Sequence, residues 1–274
     1  MFHKNGILFQ SDLLSSDGIV HGFSTREGGV SRLPHTASMN AAEGHGDPAE
    51  TVRENVGILA RTLTGGMLTE SAVVCAPQIH SAKIRYVTKE DAGFGVTLPA
   101  GVPGDGFFTD APGILLLVRV ADCVPILFTA RRADGSPLVA AVHAGWRGTA
   151  AGIAAEAVHL LTGAGAAPDS IRAAVGQCIH DCCFEVQADF VKSVADARDA
   201  DFAARHILSR DGRLYADLVG MNTELLRQAG LTEAQIDVSP HCTACNPALF
   251  HSHRAAKGLR GAMAAVIGIL PTTR

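Results

Sequence analysis

The run GILLLVRVADCVPILF, residues 113–128, constrains the fold of this chain more than any other stretch. A membrane-spanning helix needs about 20 consecutive apolar residues, and Arg119 and Asp122 interrupt this run too soon. Its two halves read instead as strands buried on both faces, with Asp122 and Cys123 between them. Similar short apolar runs predict strands at 71–76, 83–87, 137–144 and 172–175. Helical spacing of Val52, Val56, Leu59 and Leu63 predicts a helix capped by Asp47, with Pro48 in its first turn. Two more helices are predicted from Thr149 to near Gly163 and from Asp217 to Gly230. Hydrophobic residues make up 47% of the chain and charged ones 18%, enough apolar surface for a large core. Aromatics are only 5%, so that core must be built from Ala, Val, Leu and Ile. The pattern predicts a mixed α/β fold, a mixed sheet flanked by helices, with all 274 residues in one large domain.

Charge narrows the function. The net charge is −4 and no basic stripe appears, which argues against gripping nucleic acid through its phosphates. The opening MFHKNGILFQSDLL lacks the apolar core and small-residue cleavage site of a signal peptide, so the expected compartment is the cytoplasm, with no membrane partner. There the seven cysteines should be reduced, and so candidates for metal or catalytic work.

A catalytic zinc uses three protein ligands of nitrogen or thiolate type and keeps a fourth position open. His80, Cys123 and His143, each at or near the end of a predicted strand, could supply such a set. Two other groups compete: Cys242, Cys245, His251 and His253 in HCTACNPALFHSH, and Cys178, His180, Cys182 and Cys183 in CIHDCC. Spacing alone leaves all three open, beside the plain alternative of inert, reduced cysteines in packed turns. Gln78, two residues before His80, would share its face on a strand and could read a ligand's edge or orient water, or be a packed amide. Asp122 would face away from Cys123 and so support rather than react. Trp146 could stack on a flat ligand or fill the core.

At these residues the sequence resembles the YfiH-like, or laccase-domain, family, also known as purine nucleoside phosphorylases and peptidoglycan editing factors. The motifs are FSTREGGVS at 23–31, PQIH at 77–80, residues 105–128, AVHAGWRGTAAGI at 141–153, CCFEV at 182–186 and CTACNPALFHSHR at 242–254. The resemblance spans nearly the whole chain. It implies a single-domain α/β sandwich and a zinc held by His80, Cys123 and His143. It also implies phosphorolysis of adenosine, inosine and methylthioadenosine, and deamination of adenosine. Arg26 and Arg147, whose planar forks suit phosphate, become candidate phosphate or ribose contacts. The chain departs from the family pattern at Gln177, His180-Asp181, His251, His253 and Ala262. The family carries the CTAC cysteines without needing a metal there, so no second zinc is expected and His251 and His253 read as substitutions near a cleft.

Three rival readings remain. A cysteine hydrolase acting on peptidoglycan precursors would use Cys123 as nucleophile and His143 as base. A copper phenol oxidase would also accept imidazole and thiolate ligands, but multi-copper chemistry needs more histidines than one such triad supplies. A non-catalytic binding protein would hold metal without turnover.

Overall fold

The computed structural model describes residues 1–271. In chain order its strands are β1 (Phe2–Asn5), β2 (Leu8–Ser11), β3 (Ile19–Ser24), β4 (Val73–Val74), β5 (Ile84–Tyr86), β6 (Gly106–Thr109), β7 (Leu115–Val120) and β8 (Val124–Arg131). They continue as β9 (Pro137–Ala144), β10 (Arg172–Val175), β11 (Glu185–Val186), β12 (Ile207–Arg210), β13 (Arg213–Ala216), β14 (Ile236–Val238) and β15 (Met263–Ile269). The helices are α1 (Ala49–Thr64), α2 (Trp146–Ala151), α3 (Ile153–Gly163), α4 (Ala188–Ala197), α5 (Ala200–His206) and α6 (Leu218–Gln228).

Two six-stranded sheets form, ordered β1-β2-β3-β15-β7-β4 and β14-β10-β8-β9-β6-β5, with a small β11-β13-β12 sheet beside them. Both large sheets are mixed: β4–β7, β5–β6 and β10–β14 pair parallel and the other pairs antiparallel. Side chains on a strand alternate between faces, so a strand apolar at every position must be covered twice. On β7, Leu116, Val118 and Val120 turn toward Leu127 of β8 and Val139 and Ala141 of β9, filling the space between the sheets. Leu115 and Leu117 turn the other way, onto Val56, Leu59 and Ala60 of α1. The outer face of the second sheet, with Val124, Ile126 and Phe128, is covered by Ile153, Val158 and Leu161 of α3 and Leu225 and Leu226 of α6. The result is a helix–sheet–sheet–helix sandwich. No helix among the described residues is long and apolar enough to cross a membrane.

Three expectations shift. Pro48 is the cap of α1 rather than its first turn. Asp47 turns instead to the preceding loop, where its carboxylate accepts from Ser31, Thr36 and Asn40. The helix expected from Thr149 starts at Trp146 and breaks at Gly152, whose φ of 88° is open to glycine.

Two buried histidines make stability depend on pH. His21 accepts a hydrogen bond from the Ser11 N–H at 3.0 Å. His251 lies 3.0 Å from the Met39 carbonyl, while its Nδ1 has no partner among the described residues. Burial lowers each to about 4 from an ordinary 6.5. Below pH 6.5 the unfolded chain takes up protons that the folded one resists, so stability is full above 6.5 and lost as pH falls toward 4. The loss approaches about 3 kcal/mol per site. Urea midpoints should be flat above pH 7 and fall between 6.5 and 4, and His21→Gln should flatten that slope; an unchanged slope would exclude His21 as a contributor.

Candidate metal centre

Strand register brings the centre together. β8 and β9 pair antiparallel with Val124 opposite Ala144 and Pro125 opposite His143, so Cys123 and His143 meet at one end of the pair. On the far side of β9, Gly106 of β6 pairs with Val142, and the preceding Asp105 comes level with His143. His80 arrives from the loop between β4 and β5. The ligand atoms of His80, Cys123 and His143 all lie within 4.8 Å of one another, with His80 Nε2 3.9 Å from Cys123 Sγ. The two imidazole rings meet edge to face at 84°.

Asp105, fully buried, organises this set. Its carboxylate accepts from the backbone N–H groups of Ile79, His80 and Ser81 and from the Ser81 hydroxyl. The same carboxylate stands 2.9 Å from His143 Nδ1. That contact would leave the other ring nitrogen, Nε2, free to hold a metal, as in a carboxylate–histidine–metal relay. The bonds to residues 79–81 also hold His80 at a φ of 58°, a conformation that costs of order 1–3 kcal/mol outside glycine. Although burial opposes it, hydrogen bonding from His143 and Ser81 brings Asp105 down to about 2.

The electrostatics favour a bound cation. Burial alone would raise the Cys123 thiol, but His143 and His80 bring it to about 6. Burial alone would lower His143, but Asp105 and Cys123 raise it to about 9. The thiolate is therefore the resting form of Cys123 at neutral pH, while His143 must release a proton to bind metal. Zinc–sulfur and zinc–nitrogen bonds of about 2.3 and 2.0 Å need a donor separation near that between His80 and Cys123. Gly145 leaves the room: a Cβ there would sit 2.6 Å from His80 Cδ2 and 3.3 Å from Cys123 Sγ. One thiolate and two imidazoles, with His143 buried and His80 exposed, could offer a cation three ligands and leave one side open.

Two cavities of about 260 and 270 Å³ share His80, Cys123 and Arg260. Trp146, Ile179, Phe184 and Leu218 make the first largely apolar. Gln78, His45 and Arg119 make the second polar.

The structure separates the other sequence candidates. The Gln78 amide is spent on the Arg119 backbone, donating to its carbonyl at 2.8 Å and accepting from its N–H at 2.7 Å; it is a strut of the wall. Arg26 donates to the carbonyls of Ala37, Pro247 and Pro34 and lines a neighbouring cavity of about 240 Å³ without His80 or Cys123. Arg147 is exposed and lies over the Trp146 ring at 4.3 Å. Asp122, at a φ of 93°, accepts from the Thr243 hydroxyl and the Arg254 N–H, tying loops together. His253 lines the first cavity and His251 the neighbouring one.

Two residues were missed in the sequence. Asp105 opens a motif that the sequence does display, and an acid at the head of a buried strand was the available signal. Arg260 borders all three cavities, donates to His45 Nε2 at 2.9 Å, and keeps a buried Nε with no acceptor among the described residues.

A two-sheet α/β sandwich with a His–Cys–His cluster of metal-ligating type at a strand end is the class that fold and site define. The family model for multi-copper polyphenol oxidoreductase laccase matches residues 20–270, and the chain belongs to that family. It is 40% identical to the purine nucleoside phosphorylase YlmD of Geobacillus stearothermophilus over 92% of this chain and 90% of that one. A relative named adenosine deaminase, from an unknown prokaryotic organism, is 33% identical over 86% of this chain and 88% of its own. The crystal structure of YlmD from Geobacillus stearothermophilus superposes with a TM-score of 0.86 at 36% identity, covering 98% of this chain and 99% of that one. A Bacillus licheniformis protein titled hypothetical protein YfiH gives 0.87 at 32% identity, covering 98% of each.

Proposed function

We propose that this chain is a zinc-dependent purine nucleoside enzyme that catalyses phosphorolysis of adenosine, inosine and methylthioadenosine, and deamination of adenosine. The observation that carries the reading is the open-sided His80–Cys123–His143 centre, oriented by Asp105, at the junction of an apolar and a polar cavity. Zinc held there would supply Lewis acidity and lower the pKa of a reacting water.

The remaining work falls to the chain's own side chains. Trp146, Phe184, Ile179 and Leu218 offer apolar and aromatic surface for a purine base. Arg260, with an uncommitted buried N–H, offers a charge-assisted contact to phosphate. In phosphorolysis a phosphate oxygen bonds to the ribose carbon as the bond to the purine nitrogen breaks, and the base leaves with the electron pair and takes up a proton. In deamination water replaces the amine at purine carbon six and ammonia leaves. Asp105 keeps its proton contact with His143 Nδ1 in both.

One observation favours a second reading. Cys123, His143 and Asp105 also make a thiolate–imidazole–carboxylate series of the kind that activates a cysteine nucleophile. Chromatography of products from adenosine, with and without phosphate, before and after metal removal, separates the two. Inosine and free base that vanish with a chelator and return with zinc support the proposal. No conversion by the zinc-loaded protein overturns it, and chelator-resistant conversion favours the nucleophilic cysteine.

A further inference from the structure

Outside this centre, the fold recombines cysteines that the sequence had grouped differently. Cys182 and Cys183 lie in the turn after β10, and Cys242 and Cys245 in the loop after β14. Their four sulfur atoms lie within 4.8 Å of one another. Cys182 Sγ is 3.8 Å from Cys183 Sγ and 3.6 Å from Cys245 Sγ, and Cys183 Sγ is 3.3 Å from Cys245 Sγ. Neither His180, His251 nor His253 joins them. With zinc–sulfur bonds of about 2.3 Å, the edge of a tetrahedral four-sulfur site is about 3.8 Å. We propose that Cys182, Cys183, Cys242 and Cys245 form a second, structural metal site that takes a tetrahedral thiophilic divalent cation, zinc first among them.

The surroundings suit thiolates. The His180 N–H donates to Cys242 Sγ at 3.4 Å, and the Cys245 N–H donates to the same sulfur. Such bonds stabilise a ligating thiolate and orient it. Without a cation, four thiols at these separations cannot all ionise. Partial burial and the adjoining thiols push Cys182 far above its ordinary value and Cys183 to about 12, while the backbone donors hold Cys242 down. A divalent cation relieves that mutual repulsion.

The position gives the site a task. Its two loops also carry Ile179 and Phe184 on one side and His253 and Arg254 on the other, all walls of the apolar cavity. Arg254 donates across the junction to the carbonyls of Cys183 and Glu185. A metal at the four sulfurs would fasten together two segments that meet nearly sixty residues apart in sequence, ahead of any substrate.

Anaerobic cobalt titration of reduced, metal-stripped protein tests this. The wild type should take two equivalents per chain, one with the strong sulfur-to-cobalt charge-transfer absorption of a four-thiolate site. Cys245→Ser and Cys182→Ser should each take one and lose that absorption. Cys123→Ala should take one and keep it. Saturation of the wild type at one equivalent, or survival of the absorption in Cys245→Ser, overturns the site. Should the serine variants fail to fold, alkylation of the wild type decides, because Cys182 and Cys245 are exposed. Zinc should protect both from alkylation. Reaction undiminished by zinc, or a Cys183–Cys245 disulfide persisting under reductant, rejects the proposal.

Discussion

Cys123→Ala should yield a folded chain whose His80–Cys123–His143 centre binds no metal and whose nucleoside conversions fall to background. The thiolate is the one anionic ligand of the three, so its loss removes the charge that holds a divalent cation as well as a bond. The fold should survive, since the half-buried side chain is truncated by a single sulfur while β8 and β9 keep their pairing. Asp105→Asn makes the graded companion. It removes the charge that raises His143 and fixes its Nδ1 contact, but keeps the size of the side chain. Loss of such an outer partner typically costs about 10- to 100-fold in metal affinity. Competition with a fluorescent chelator reads the affinity, elemental analysis the stoichiometry, and circular dichroism the fold. A Cys123→Ala protein that competes for zinc at this centre as well as wild type would sink the assignment. Equal affinity in Asp105→Asn would reduce Asp105 to a backbone clamp for residues 79–81.

What the sequence disclosed follows from how locally each feature is encoded. β9 and β10 were legible from end to end because each is an apolar run bounded by turn residues. β15 was overlooked although GAMAAVIGIL is as apolar as either; its small residues resemble a helix as much as a strand until Val20 to Phe23 and Leu115 to Val120 supply its neighbours. His80, Cys123 and His143 were readable as metal-loving types near strand ends. Asp105 was visible as an acid at the head of an apolar run, but its role was not, because that role lies in a pairing register that sets Gly106 beside Val142. Arg26 and Arg147 read as anion contacts because a planar guanidinium fork suits phosphate and both stand in motifs that carry the family resemblance. Packing gives Arg26 carbonyl partners for three of its five N–H groups and rests Arg147 on Trp146, neither of which the sequence displays. The cysteines teach the same lesson in reverse: each sequence-local grouping mixed sulfur with histidine, and the loops select sulfur from both.

Arg260→Ala should lower phosphorolysis by roughly 10- to 100-fold while changing deamination much less. Both reactions would share the metal and the apolar walls, and only phosphorolysis must hold a phosphate. A hydrogen bond to a charged group contributes about 1.5–3 kcal/mol, which sets the size of the expected loss. Arg260→Lys should be intermediate, because a lysine restores charge without the planar fork. Arg26→Ala and Arg147→Ala serve as controls. Arg26 has its donors on carbonyls and Arg147 stands exposed on an aromatic face, so neither should change the balance between the reactions. The quantity to measure is the ratio of adenine and hypoxanthine released to inosine formed from adenosine, at fixed phosphate. Because the His45 contact is also lost, His45→Ala completes the set: if it alone reproduces the fall in the ratio, the imidazole and not the guanidinium meets the phosphate. A ratio unmoved by Arg260→Ala but lowered by Arg26→Ala would return the anion site to the neighbouring cavity and leave Arg260 a purely structural cation.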